Sequence, residues 1–148
     1  MSRSVPPATN DRGPIAGRGI RGRFVVMSHE IRFVPAPGLL HVIVRGDFDY
    51  EESRRILAAL AVAAGKHPVA PILVDTREAA ALLKATEVYH LASDLVDAGV
   101  STNTRLAIVN KPRPDFDRAS FLEELGQRRG LQLRRFSELE SAVAWLTT

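Results

Sequence analysis

Pro71-Ile72-Leu73-Val74-Asp75-Thr76-Arg77 is the stretch on which the fold turns. Four apolar or ring residues run without alternation and stop at an acid. A strand covered on both faces reads this way, because no side of it needs to be polar. The polar residues after Val74 mark its carboxyl end, and open α/β sheets place ligands and partners at such ends. Asp75, Thr76 and Arg77 are therefore the first candidate binding residues.

Upstream of this strand, Ile31-Arg32-Phe33-Val34 alternates like an edge strand. Pro35-Ala36-Pro37-Gly38 is a turn, and Leu39 to Gly46 forms a second, more continuously apolar strand. So short a turn makes the pair an antiparallel hairpin. Asp49, with Glu52 three residues on, opens a first helix as a capping box, and Gly65 ends it. Downstream, residues 76–85 read as a packed loop or short helical turn. Helix 86–98 follows, with Val88, Leu91, Ala92, Leu95 and Val96 as its apolar stripe and Gly99 at its end. Thr104–Val109 is another buried strand. Asp115 is the expected cap of a helix over 115–128, closed by Gly130. Residues 131–135 alternate as a second edge strand, and Ser137 with Glu140 forms a capping box for the last helix. The order β-β-α-β-α-β-α-β-α predicts an α/β domain with a mostly parallel five-stranded sheet and an N-terminal antiparallel hairpin.

Composition narrows the function. The chain has 148 residues, 45% hydrophobic and 25% charged, the profile of one globular domain. It contains no Cys, which removes disulfides, thiolate metal sites and Cys nucleophiles and fits a cytoplasmic location. No apolar run approaches the ~20 residues of a membrane helix. The net charge of +3 belongs to residues 1–26, which carry five Arg against one Asp. Their Pro- and Gly-rich composition is that of a disordered tail. Residues 27–148, the expected single domain, are near neutral, so no basic face for specific nucleic-acid binding is expected. Met27 is a second plausible start of translation. Gly17-Arg18-Gly19-Ile20-Arg21-Gly22 matches a dinucleotide-binding pattern in letters only, since no strand precedes it and no helix follows.

No nucleophile elbow or phosphate-binding loop is present, so the sequence predicts no enzyme, no catalytic residue and no cofactor. Glu87, His90, Asp94 and Asp97 share the polar side of helix 86–98. Carboxylate-bridged metal sites draw such motifs from several helices. With a single motif here, the cluster reads as a solvated face and no metal is expected. His29, His41 and His67 are scattered. Asp75 and Arg77 form a carboxylate–guanidinium pair suited to a polar ligand or partner. The alternative is that Asp75 accepts from loop amides. Trp145 is expected to pack on the sheet.

The element order, the Ile72–Arg77 strand end and the C-terminal block together resemble the STAS family, the fold of anti-sigma-factor antagonists. That block comprises Arg105–Val109, a helix, Arg134-Arg135-Phe136, and Glu138 through Ala144-Trp145-Leu146. The resemblance is closest to the stand-alone, uncharacterised SpoIIAA-like branch and covers about residues 28–147. It implies a non-catalytic regulatory domain that docks a protein partner through loop 76–85 and helix 86–98, with Thr86, Glu87 and His90 on the docking face. The antagonists are phosphorylated on a Ser near the start of the second helix. That position falls near Leu83-Lys84-Ala85-Thr86, where Thr86 is the nearest hydroxyl and also a plain capping residue. The alternative function is a small apolar-ligand or lipid carrier of the same fold, with Ala79–Leu83 lining the pocket. A homodimer through an edge strand or helix face is compatible with either.

Overall fold

The computed structural model describes residues 27–148, and the basic tail of residues 1–26, with its Gly-Arg repeats, lies outside them. The chain forms strands β1 (Ser28–Val34) and β2 (Leu39–Phe48), helix α1 (Tyr50–Lys66), β3 (Ile72–Ala81), α2 (Ala85–Asp97), β4 (Arg105–Val109), α3 (Arg118–Arg128), β5 (Gln132–Phe136) and α4 (Leu139–Leu146). One five-stranded sheet runs in the order β1-β2-β3-β4-β5. β1 is antiparallel to β2, and every later pair is parallel. The element order, the hairpin and the two edge strands agree with the sequence reading.

A sheet built in sequential order has a consequence for layering. Each right-handed crossover steps the same way, so α1, α2 and α3 all land on one face. The main core lies there: Leu40, Val42 and Val44 of β2, Ile72 of β3 and Leu106 of β4 pack against Ile56 and Leu60, Val88 and Leu95, and Leu122 and Leu125. Among the described residues, the opposite face is covered only by the eight-residue α4, whose Ala142 and Leu146 pack on Leu39, Leu73, Ala107 and Val109. Trp145 packs there against Phe136, ring centroids 5.8 Å apart, with the Arg105 guanidinium 5.4 Å from its ring. Gly126 lets α3 approach β5 closely, since a Cβ there would meet Leu133 Cδ1 at 3.3 Å.

The largest departure from the sequence reading is β3. Residues 76–81, expected as a loop, continue the strand, pairing Glu78 through Ala81 with Arg45 through Phe48. The register shifts after Ile43↔Asp75 and resumes at Arg45↔Glu78, so Thr76 and Arg77 together oppose Val44. This is a β-bulge, one extra residue that bends the strand and re-aims its side chains. Past the bulge, Ala79 and Ala81 face the main core. Asp75-Thr76-Arg77 thus marks a bend within the strand, not its end.

Helix boundaries show smaller departures. Asp49 and Glu52 form the expected capping box of α1, but the helix runs past Gly65 to Lys66. Asp117, not Asp115, caps α3, accepting from the Ala119 and Ser120 amides. Helix α4 starts after Glu138 with no side-chain cap. Ser137 lies one residue before the cap position, and its Oγ accepts from Arg135 Nη2 at 2.7 Å. Gly99 and Gly130, at φ +94° and +83°, follow α2 and α3 as expected.

Candidate functional site

The bulge separates β3 from β4. Their ladder covers only Ile72–Asp75 against Leu106–Val109. Beyond it β3 stays with β2, while the chain after β4 turns away through Asn110–Phe116 to α3. Two parallel strands that part at their carboxyl ends leave a crevice between them.

A cavity of about 170 Å³ opens from this crevice into the space between the sheet and helices α1–α3. Its walls are aliphatic: Val42, Val44 and Val74 from the sheet, Leu57 and Leu60 from α1, Leu83 and Val88 at the start of α2, and Leu122 of α3. Phe48 and the small Ala79, Ala80 and Ala81 complete the wall beside the mouth. Polar groups gather at the mouth: Thr76, Asn110, Lys111, Arg113, Asp117 and Arg118. An apolar chamber with a few convergent polar groups at one end is the usual form of a small-molecule site.

The mouth is held by a hydrogen-bond network. Asp117 Oδ1 accepts from Asn110 Nδ2 at 3.0 Å as well as from the α3 amides. Asn110 Oδ1 accepts from Arg135 Nε at 2.7 Å, and Arg135 lies 3.7 Å from Asp117 Oδ2. Arg118 ties α3 to the segment before α2, donating through Nε to Leu83 O at 2.8 Å and through Nη1 to Phe116 O. The sequence reading missed these rim residues. Applying the strand-end rule to β4 as well as β3 would have pointed to Asn110 and the basic residues after it.

The predicted binding residues do not form one site. Asp75 and Arg77 lie on the sheet face that α4 leaves partly open, and they satisfy each other. Asp75 Oδ1 accepts from Arg77 N at 3.0 Å and Nε at 2.9 Å, and Oδ2 accepts from Nη2 at 2.7 Å. Burial pushes the Asp75 carboxyl up, but the hydrogen bonds and charge of Arg77 outweigh it and hold it below the usual carboxylate range. Thr76 turns to the cavity side, where its Oγ1 donates to Val109 O at 3.1 Å, the last β4 carbonyl. Asp75 and Thr76 therefore each satisfy a backbone group at the bulge and the fork, and the Arg77 side chain pairs the Asp75 carboxylate.

Thr86, Glu87 and His90 sit on the outside of α2, with Thr86 and His90 exposed. Thr86 is not the cap of α2. Lys84 holds that position, and Glu87 Oε1 accepts from its amide at 2.8 Å. Asp94 does not share their solvated face, since its Oδ2 accepts from Tyr50 of α1 at 2.5 Å. This bond pushes the Tyr50 hydroxyl up from its ordinary pKa. Among the described residues, no three His, Cys, Asp or Glu side chains converge as a metal site.

One buried polar atom has no partner among the described residues, His41 Nε2 on β2. Burial pushes the His41 pKa down, against the opposing pull of the nearby Asp75 carboxylate. His41 shares the partly open sheet face with Asp75, away from the cavity.

The fold and the crevice define an α/β domain with a chamber at the carboxyl ends of its central parallel strands. Among solved structures, the chain is similar to an uncharacterized protein from the DUF3478 family with a SpoIIAA-like fold, from Shewanella loihica PV-4. The match covers 86% of this chain and 99% of that one, at 16% identity and a TM-score of 0.48. It is a likeness of fold, and no ligand or activity is carried over from it. No family model and no curated protein matches the chain.

Proposed function

We propose that this chain is a non-catalytic cytoplasmic binding domain that takes a small apolar molecule into the chamber between its sheet and helices α1–α3. The aliphatic cavity at the strand fork carries this reading. A cavity of ~150 Å³ lined by Leu, Ile and Phe stays dry and accepts benzene, and the chamber here is of that size. The non-catalytic part is supported by the lining. Among the described residues it contains no His, and its one buried hydroxyl, Ser53, donates to Asp49 O at 2.9 Å. Its single carboxylate, Asp117, caps α3. Neither is poised to attack or to move a proton. Among the described residues no helix is long and apolar enough to cross a membrane.

The test is a titration with 2-phenylethanol followed by methyl NMR. Resonances of Val44, Leu57 and Leu83 are expected to shift together and saturate. An Ala81→Phe variant, which fills the mouth side of the chamber, is expected to keep the fold and lose the shifts. Weak shifts scattered over the surface, with the cavity methyls unmoved, would refute the reading.

A second reading, a regulatory domain that docks a protein partner, rests on a different observation. Leu82, Tyr89 and Val96 are 57%, 50% and 44% exposed, at seven-residue spacing along and just before α2. Seven residues is about two helical turns, so Tyr89 and Val96 lie on one outer line of the helix. A partner held by the wild-type chain and released by Val96→Glu supports docking there. Equal retention by both sinks it.

A further inference from the structure

We infer that the ligand of the chamber is a small carboxylic acid with a body of about one aromatic ring or a six- to eight-carbon chain, bound apolar end first with its carboxylate at the mouth. The inference rests on the binding reading above and adds the ligand's class and orientation. The size follows from the volume. At about 170 Å³ the chamber is close to the benzene-sized case and too small for a long acyl chain.

The charge follows from the rim. Of its four charged lining residues, three are basic and one is acidic. The acid is already committed. Asp117 Oδ1 accepts from two helix amides and from Asn110, and its Oδ2 faces Arg135. Two of the bases are not. The Lys111 side chain has no hydrogen bond or ion pair among the described residues, its backbone carbonyl alone accepting from Asn110 Nδ2, and Arg113 has only a loose pair with the exposed Asp115 at 3.8 Å. Arg118 is largely committed, holding the mouth through Nε and Nη1 and lying 4.9 Å over the Phe116 ring, with Nη2 alone left without a hydrogen-bond partner among the described residues. A neutralised carboxylate beside uncommitted cations makes the mouth positive. Guanidinium and ammonium groups pair best with a carboxylate. A neutral or cationic head would leave them unmatched.

Three probes with the same ring and different heads test this: phenylacetate, 2-phenylethanol and phenethylamine, titrated into the full chain by calorimetry. Phenylacetate is expected to bind about tenfold tighter than the alcohol, and the amine weakest. The preference is expected to shrink in high salt, as for partly exposed charges. Lys111→Glu with Arg113→Glu, both exposed and outside the rim network, is expected to erase or invert the acid preference. Alcohol binding should change by less than about twofold, since rim charges act on the head alone. Equal binding of acid and alcohol, or a preference that survives the double substitution, overturns the inference and leaves the apolar chamber standing. No binding of any probe overturns the chamber reading itself.

Discussion

Replacing Asp75 with Asn tests whether the polar triad of β3 is structural. Asn keeps the shape and one acceptor, so Oδ1 can still receive the Arg77 amide and Nε. Its NH2 then meets Arg77 Nη2, donor against donor, where Oδ2 now accepts at 2.7 Å. Hydrogen bonds to charged groups contribute about 1.5–3 kcal/mol. Asp75 is only 13% exposed, but Arg77 is 38% exposed, so solvent weakens the ionic part. The expected loss is about 1.5–2 kcal/mol. For a domain of this size, that lowers Tm by roughly 6–8 °C.

The pH dependence gives the stricter check. The folded pKa of Asp75 lies below its ordinary 3.8. The ionised carboxylate therefore stabilises the fold fully above that ordinary value, and the contribution is lost as pH falls through the folded pKa. Wild type and Asp75→Asn should thus differ at neutral pH and converge below 3.8. Urea unfolding at several pH values measures this directly. A difference that stays constant into acid would mean that charge is not the cause, and the pairing argument would fall. No loss at neutral pH would mean that the bulge does not need its acid.

Two further outcomes are expected. His41→Gln should flatten the pH profile in a higher window. The folded His41 pKa is below 6.5, so wild type loses stability as pH falls beneath that value, while the variant does not over that range. Chemical unfolding near pH 7 and near pH 5.5 separates the two, and parallel profiles would count against a buried neutral histidine. Asp117→Ala removes the α3 cap and leaves Asn110 and Arg135 short of an acceptor. A loss of about 1–2 kcal/mol is expected from the cap alone. Mouth resonances should broaden with it, and a fully stable variant would show that the rim network is dispensable.

Much of the architecture was legible because it rests on local signals. The 3.6-residue stripe of α2 (without Val96, which lies outside it at 44% exposure), the Asp49–Glu52 box, Gly99 and Gly130, and the contrast between alternating and continuous apolar strands each act within a few residues. The misreadings occurred where a distant partner decided the outcome. Ala79-Ala80-Ala81 has weak strand preference alone, yet it pairs with Gly46, Asp47 and Phe48 of β2. Asp115 and Asp117 are equal caps on paper, and Asn110 and Arg135 favour the second. Ser137 and Glu140 have the spacing of a capping box, but the serine lies one residue before the cap position and Arg135 engages it. The rim escaped notice for the same reason, since Asn110, Asp117 and Arg135 meet only after β4, α3 and β5 are in place.

The stretch that reveals the fold also shapes its cavity, through the bend it places in β3. A regular β3 would keep Asp75, Thr76 and Arg77 in unbroken register with β2 as an ordinary stretch of strand. The extra residue bends β3 at the point where its ladder with β4 ends. Asp75 supplies an acceptor for the Arg77 amide, and Thr76 supplies a donor for the Val109 carbonyl. With those backbone groups satisfied, the two strands can separate without leaving buried orphans. The small side chains of Ala79–Ala81 then line the gap, where larger ones would fill it. Substitutions at Asp75 or Thr76 should therefore alter ligand binding through the shape of the mouth, whereas substitutions at Lys111 or Arg113 should alter which head group is preferred.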